Sequence, residues 1–121
     1  MRSILGGIGL LTSILLGLAP GFASRPASAA SFDCEKTDLA ADEKVICATR
    51  ALNDADVKMV TTFDILTTLL PMGNRGTLQD EQSAWLKKRQ TCGGDAECIR
   101  NAYAERMKQL DEAYKGLNRP L

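Results

Sequence analysis

Four cysteines, Cys34, Cys47, Cys92 and Cys98, and no histidine at all constrain a chain of 121 residues more than any other feature. In a small exported chain an even number of cysteines reads as a disulfide framework. A domain this short buries a modest fraction of its surface and relies on such staples. Zinc is the competing reading. It needs four thiolates converging on one ion, no histidine can help, and the spacings are not those of a zinc finger or ribbon. The expectation is therefore disulfides, with no metal and no cofactor. Four cysteines allow three pairings. Cys92 and Cys98 flank a short turn, which makes a local bridge easy and leaves Cys34 to tie the N-terminal segment to Cys47. This pairing is favoured. The crossed pair Cys47–Cys92 stays open, because an antiparallel hairpin would bring those ends together.

The disulfide reading requires an oxidising compartment, and the N-terminus supplies the route. Met1, Arg2 and Ser3 form a short charged opening, followed by an apolar run from Ile4 to Phe22 and then small residues at Ala27, Ala29 and Ala30. That order is a secretory signal peptide over residues 1–30, and cleavage after Ala29 or after Ala30 fits equally well. A retained membrane anchor is the rival reading, but Pro20 and Gly21 end the run early. A lipid anchor would need a cysteine directly behind the run, whereas Cys34 follows Ser31, Phe32 and Asp33. The expected product is one domain, residues 31–121, in the periplasm or secreted, with no membrane anchor after processing. Losing Arg2 and Arg25 takes two from 15 basic residues and leaves 15 acidic ones, a net charge of −2. A nucleic-acid partner is not expected at that charge.

Hydrophobic periodicity predicts an all-α, disulfide-stabilised three-helix domain: a long first helix and two shorter antiparallel ones. From Leu39 to Leu70, Val45, Leu52, Met59 and Leu66 recur every seven residues, with Ala48, Ala55, Phe63 and Leu70 filling the same face. Thr61, Thr62, Thr67 and Thr68 weaken the second half, and Pro71 ends the helix. Residues 71–76, PMGNRG, read as a turn-rich loop. Thr77 then reads as an N-cap for a second helix from Leu78 to Gln90, with Leu78, Trp85 and Leu86 inward and Gln82 and Arg89 on or near that side. Gly93 and Gly94 punctuate the chain, and Asp95 caps a third helix whose stripe is Ala96, Ile99, Tyr103, Met107, Leu110 and Tyr114. Residues 116–121 read as a frayed end.

Catalytic machinery is hard to find. Without histidine, Ser-His-Asp and Cys-His arrangements are excluded, and the cysteines serve better as staples than as nucleophiles. The carboxylates stand in no context that marks a glycosidase pair. The informative polar residues are Asp56, on the face of Leu52, Met59 and Phe63, and Arg89, one turn after Trp85. Ionised groups beside a core seam usually have partners, so a structural ion pair, with Arg106 or another basic group, is weighed against a binding surface. Trp85 reads as core, and Tyr103 and Tyr114 as half-buried with their hydroxyls at the edge. Lys87, Lys88 and Arg89 read as a solvated helix end. Met72, Asn74 and Arg75 of the 71–76 loop are the candidate partner contacts.

The ordered set of these residues resembles the family of small exported proteins named for the lysozyme inhibitor LprI. The first signature is Cys34, then Glu43-Lys44-Val45-Ile46-Cys47, then Leu52, Asp56, Met59 and Phe63. The second is Gln82, Trp85, Leu86, Arg89 and Cys92, and the third Cys98, Ile99, Tyr103, Arg106 and Leu110. Ala55 and Phe63 depart from the pattern, which usually has leucine and tyrosine there. The resemblance implies a binding protein rather than an enzyme. The reading it supports is inhibition of a lysozyme or wall hydrolase by occluding its cleft. Two alternatives stand beside it: an envelope adaptor or stress protein binding another protein, and a binder of cell-wall fragments with a pocket near Trp85.

Overall fold

The computed structural model describes residues 30–117. The leader reading, apart from Ala30, and residues 118–121 lie outside the described residues. Four helices and no strand are found among them: α1 Ala41–Ala48, α2 Arg50–Leu69, α3 Met72–Gln90 and α4 Ala96–Lys115. The class is all-α as expected, with one helix more than the sequence predicts.

The extra helix comes from a break at Thr49. This residue takes an extended conformation, φ −115° and ψ 105°, where a continuous helix was expected. Its amide donates back to the Val45 and Ile46 carbonyls, and its own carbonyl accepts from Leu52 and Asn53, so it closes α1 and opens α2 at once. The break has a packing reason. Ile46 is fully buried while Val45 is only half-buried. Ile46 and Leu52 are six positions apart, which a continuous helix would point in different directions. Interrupting the helix at Thr49 lets Asp42 and Ile46 face the same core as Leu52, Met59 and Leu66.

Past the break α2 runs unbroken through its threonines. Thr62 donates to the Lys58 carbonyl at 2.8 Å, Thr67 to Phe63 at 2.8 Å and Thr68 to Ile65 at 2.7 Å, so these three hydroxyls are satisfied along the helix itself. The helix ends at Leu69, before Pro71 as expected. The segment 71–76 is not a loop. Leu70 and Pro71 are extended and reverse the chain by themselves. The Pro71 carbonyl then accepts the Arg75 amide at 2.9 Å, so α3 starts at Met72 and Thr77 lies inside it. The second predicted helix is therefore 19 residues long, nearly matching α2.

Asp95 caps α4 as expected, accepting from the amides of Glu97 at 2.9 Å and Cys98 at 3.1 Å. Gly93, at φ 54°, turns the chain between α3 and α4. Two disulfides close this end of the bundle: Cys34–Cys47 and Cys92–Cys98, with Cα–Cα distances of 5.7 and 5.6 Å. The central helix is α2, which packs against the other three, most extensively α4. The core joins Ile46, Leu52, Met59, Leu66, Leu70 and Leu78 to Trp85, Ile99, Tyr103 and Leu110. No described helix is long and apolar enough to cross a membrane.

Candidate functional site

Four of the polar and aromatic residues singled out in the sequence meet inside the bundle. Asp56 of α2, Trp85 and Arg89 of α3 and Tyr103 of α4 converge, joined by Asp42 of α1, which the sequence reading missed. Asp56 is 0% exposed, Asp42 1% and Arg89 3%, so this is an ionic cluster within the core. Arg89 Nε donates to Asp42 Oδ2 at 2.9 Å and Arg89 Nη1 to the Tyr103 hydroxyl at 3.1 Å. The Tyr103 hydroxyl donates onward to Asp56 Oδ1 at 2.7 Å, and Arg89 Nη1 stands 3.7 Å from the same oxygen. The structural partner of Asp56 is thus Arg89, not Arg106. Nor is Arg89 part of a solvated helix end, although Lys87 and Lys88 are exposed.

Aromatic rings complete the cage. The Arg89 guanidinium lies 5.8 Å from the Phe32 ring centroid, 5.7 Å from Trp85 and 6.0 Å from Tyr103. Trp85 and Tyr103 meet edge to face at 5.2 Å. The Trp85 indole N–H donates to the Ala102 carbonyl at 2.9 Å. The N-terminal segment contributes Phe32 and the Ser31 amide, which donates to Asp56 Oδ2 at 2.6 Å. Burial disfavours charge on Arg89, but Tyr103 and then Asp42 outweigh it, and its pKa rises above the ordinary arginine value. Burial pushes the Tyr103 hydroxyl's pKa up strongly; Arg89 opposes this and the bond to Asp56 adds to it. Tyr103 is therefore a neutral hydrogen-bond donor, buried more deeply than the half-burial expected.

Arg106 belongs to a second buried cluster, one turn further along α4. Its Nε donates to Gln82 Oε1 at 2.9 Å, Nη1 to Gln109 Oε1 at 2.9 Å and Nη2 to the Leu78 carbonyl at 3.3 Å. Gln82 donates in turn to the Met59 sulfur at 3.3 Å. Burial draws the Arg106 pKa down, and Glu81, 3.6 Å away, partly restores it. These contacts lock α3 to α4 and α2, since a buried guanidinium is tolerated only when its donors are matched.

The candidate partner residues lie at the far end of the bundle. Met72 is 84% exposed, and Ile65 and Leu69, one turn apart on α2, are 53% and 54% exposed. Asn74 is exposed, whereas Arg75 turns back to donate to the Leu70 carbonyl at 3.2 Å. Tyr114, expected to be half-buried, is 44% exposed. An open groove of about 610 Å³ runs between α3 and α4, with Ala84, Trp85 and Ala113 in its lining and Glu81, Glu105 and Glu112 among its polar residues. Glu81 and Ala113 also line a smaller cleft of about 250 Å³ that continues to Leu70 and Asn74. Among the described residues no group of three or more Asp, Glu, Cys or His side chains could hold a metal ion.

Asp42 offered no usable local signal: the periodicity puts Val45 inward, and only the break at Thr49 turns Ile46, and Asp42 one helical turn before it, into the core. Phe32 carried no such signal: only the Cys34–Cys47 tether brings its segment onto Arg89.

The family model for the lysozyme inhibitor LprI matches residues 34–110. No curated protein and no solved structure matches the chain. The matched stretch begins at Cys34 and ends at Leu110, taking in both disulfides, Asp42, Asp56, Arg89, Tyr103 and Arg106. By that match, spanning most of its length and its entire ionic core, the chain belongs to the LprI lysozyme inhibitor family.

Proposed function

We propose that this protein is an exported inhibitor of a muramidase, a lysozyme or a cell-wall hydrolase, and that it acts by binding rather than by catalysis. The observation that carries the reading is the family match over residues 34–110. The geometry supports where contact would be made. Asp56, Trp85, Arg89, Tyr103 and Arg106 are buried and engaged with one another or with neighbouring helices, so a partner protein cannot reach them without unfolding the core. The exposed apolar side chains Ile65, Leu69 and Met72 stand where α2 turns into α3. An apolar prominence of this kind suits insertion into an enzyme cleft, with Met72 as a flexible anchor. Glu81 and Glu112 line the neighbouring groove and would assist encounter with a basic enzyme.

The test is a titration of the exported, oxidised protein into cell-wall lysis assays with several lysozymes, followed by calorimetry on any enzyme inhibited. One-to-one binding and loss of lysis are expected, and Met72→Asp should weaken both while leaving the fold intact. Unchanged lysis by every enzyme at molar excess of protein would remove the proposal.

One observation favours a second reading, a wall-fragment binder: the groove between α3 and α4 lies beside Trp85. A glycan there would find Glu81, Glu105 and Glu112 as acceptors. Trp85 ranks this reading second, because its ring is buried and its N–H already bonded to Ala102, leaving no open face for a sugar to stack on. A fragment that binds the protein without any effect of Met72→Asp would favour it. An envelope adaptor is the outcome indicated if another envelope protein, and no hydrolase, binds the α2–α3 end.

A further inference from the structure

The buried ionic cluster is short of one positive charge. Asp42 and Asp56 share a single guanidinium, that of Arg89, and the remaining member, Tyr103, is a neutral donor. Both Arg89 and Tyr103 approach Asp56 at Oδ1. The other oxygen, Oδ2, faces the backbone nitrogen of Ser31 at 2.6 Å, shorter than the usual amide hydrogen bond of about 2.9 Å. A neutral amide supplies only a dipole at this point, where a buried carboxylate calls for a cation.

Ser31 is also the first residue after the stretch of small residues that ends the leader-like segment. Ala27, Ser28, Ala29 and Ala30 leave the pattern equally content with a cut after Ala29 or after Ala30. The two cuts differ in what they place on Asp56. A cut after Ala30 turns the nitrogen already at 2.6 Å into an amine. A cut after Ala29 leaves that nitrogen an amide and puts the amine one residue, about 3.8 Å of chain, further out.

We propose that the leader is removed between Ala30 and Ser31, and that the new α-ammonium of Ser31 is the second cation of the buried cluster, paired with Asp56 Oδ2. The step is a peptide-bond hydrolysis by a leader-cleaving peptidase. Water adds across the Ala30–Ser31 amide, the C–N bond breaks, Ala30 departs with the carboxylate, and the Ser31 nitrogen takes up a proton. The nitrogen need not move afterwards, because Phe32 lies over Arg89 and Cys34 is bonded to Cys47. Leader removal and oxidation then lock the same segment, and both occur only on export. The leader-bearing chain keeps two buried carboxylates on one guanidinium and folds less stably.

The first measurement is the intact mass and N-terminal sequence of the protein recovered after export of the full chain. Ser31 as the first residue is expected; Ala30 or any other first residue overturns the proposal. The second compares the exported, oxidised protein with the same material acetylated on its α-amine in denaturant and refolded beside an untreated control. A hydrogen bond between charged groups is replaced by a neutral one, so the unfolding constant should rise about tenfold or more. Equal stabilities overturn the proposal. If the acetylated protein does not refold, the rate at which an amine reagent labels the α-amine decides. Pairing with Asp56 should make it about tenfold slower in the folded protein than in denaturant, and equal rates overturn the pairing.

Discussion

Arg89 faces two buried carboxylates and three aromatic rings, so its loss is expected to cost far more than the loss of its neighbour. Arg89→Ala removes the guanidinium that Asp42 and Asp56 share and should destabilise the fold by about 3–5 kcal/mol. Lys88→Ala breaks only the exposed pair with Glu105 and should cost less than about 1 kcal/mol. Urea unfolding of the two variants side by side checks the contrast. Tyr103 adds a pH dependence. Its folded pKa is raised, chiefly by burial, so its stabilisation is complete below the unfolded value of about pH 10 and is lost as pH climbs toward the folded value. Tyr103→Phe should flatten that alkaline decline, while costing about 1.5–3 kcal/mol at neutral pH through the bond to Asp56. Urea midpoints taken at neutral pH and in alkali would show both effects. At this scale the sequence exposed Asp56, Trp85, Arg89 and Tyr103 as unusual but not which one pairs with which. Partners come from different helices, and their pairing depends on helix rotation about the bundle axis.

The helices show most plainly where local signals suffice. The Asp95 cap, the α4 stripe as far as Leu110 but not its last member Tyr114, the Leu52–Met59–Leu66 face and the stop before Pro71 follow from short-range chemistry and are present in the fold. The start of α3 does not follow from it. Met72, Gly73, Asn74 and Gly76 have the composition of a turn, yet Leu70 and Pro71 complete the reversal alone and the rest winds into helix. That difference is measurable. Nothing lies within 4 Å of a Cβ added at Gly73 or Gly76, so Gly73→Ala and Gly76→Ala should each stabilise by about 0.5–1 kcal/mol. Gly93→Ala, at φ 54°, should instead destabilise by about 1 kcal/mol. Thermal unfolding of the three variants reads the opposite signs; a neutral result at Gly73 and Gly76 would return that segment to a loop.

The molecule as a whole has two unlike ends. Both disulfides and the Thr49 break gather where α2 begins and α3 finishes, whereas the apolar residues Ile65, Leu69 and Met72 lie at the opposite end of α2, a helix about 30 Å long. One end is stapled and the other presented. Replacing Cys34 and Cys47 together by serine should cost about 2–4 kcal/mol, and more than replacing Cys92 and Cys98, because the first bridge closes the longer loop. It also releases Phe32 from Arg89. On the proposed contact at the α2–α3 end, which neither pair of substitutions touches, both doubly substituted proteins should keep their affinity for an inhibited hydrolase at temperatures where they remain folded. Calorimetric binding alongside unfolding curves separates the two effects.

Cysteine count, helical periodicity, the capping residue and the family's ordered signatures were determined by the sequence alone, because each depends on residue types at fixed short spacings. The break at Thr49, the helical start of α3 and the two-carboxylate, one-guanidinium cluster were decided only by tertiary structure. Thr49 carries no glycine or proline to announce a break. It bends because Asp42 and Ile46 gain more from facing the shared core than α1 and α2 would gain from continuing as one helix. Arg89 likewise acquires its partners only when four helices and the tethered N-terminal segment close around it. No spacing along the chain encodes that convergence, since it depends on how whole helix faces pack.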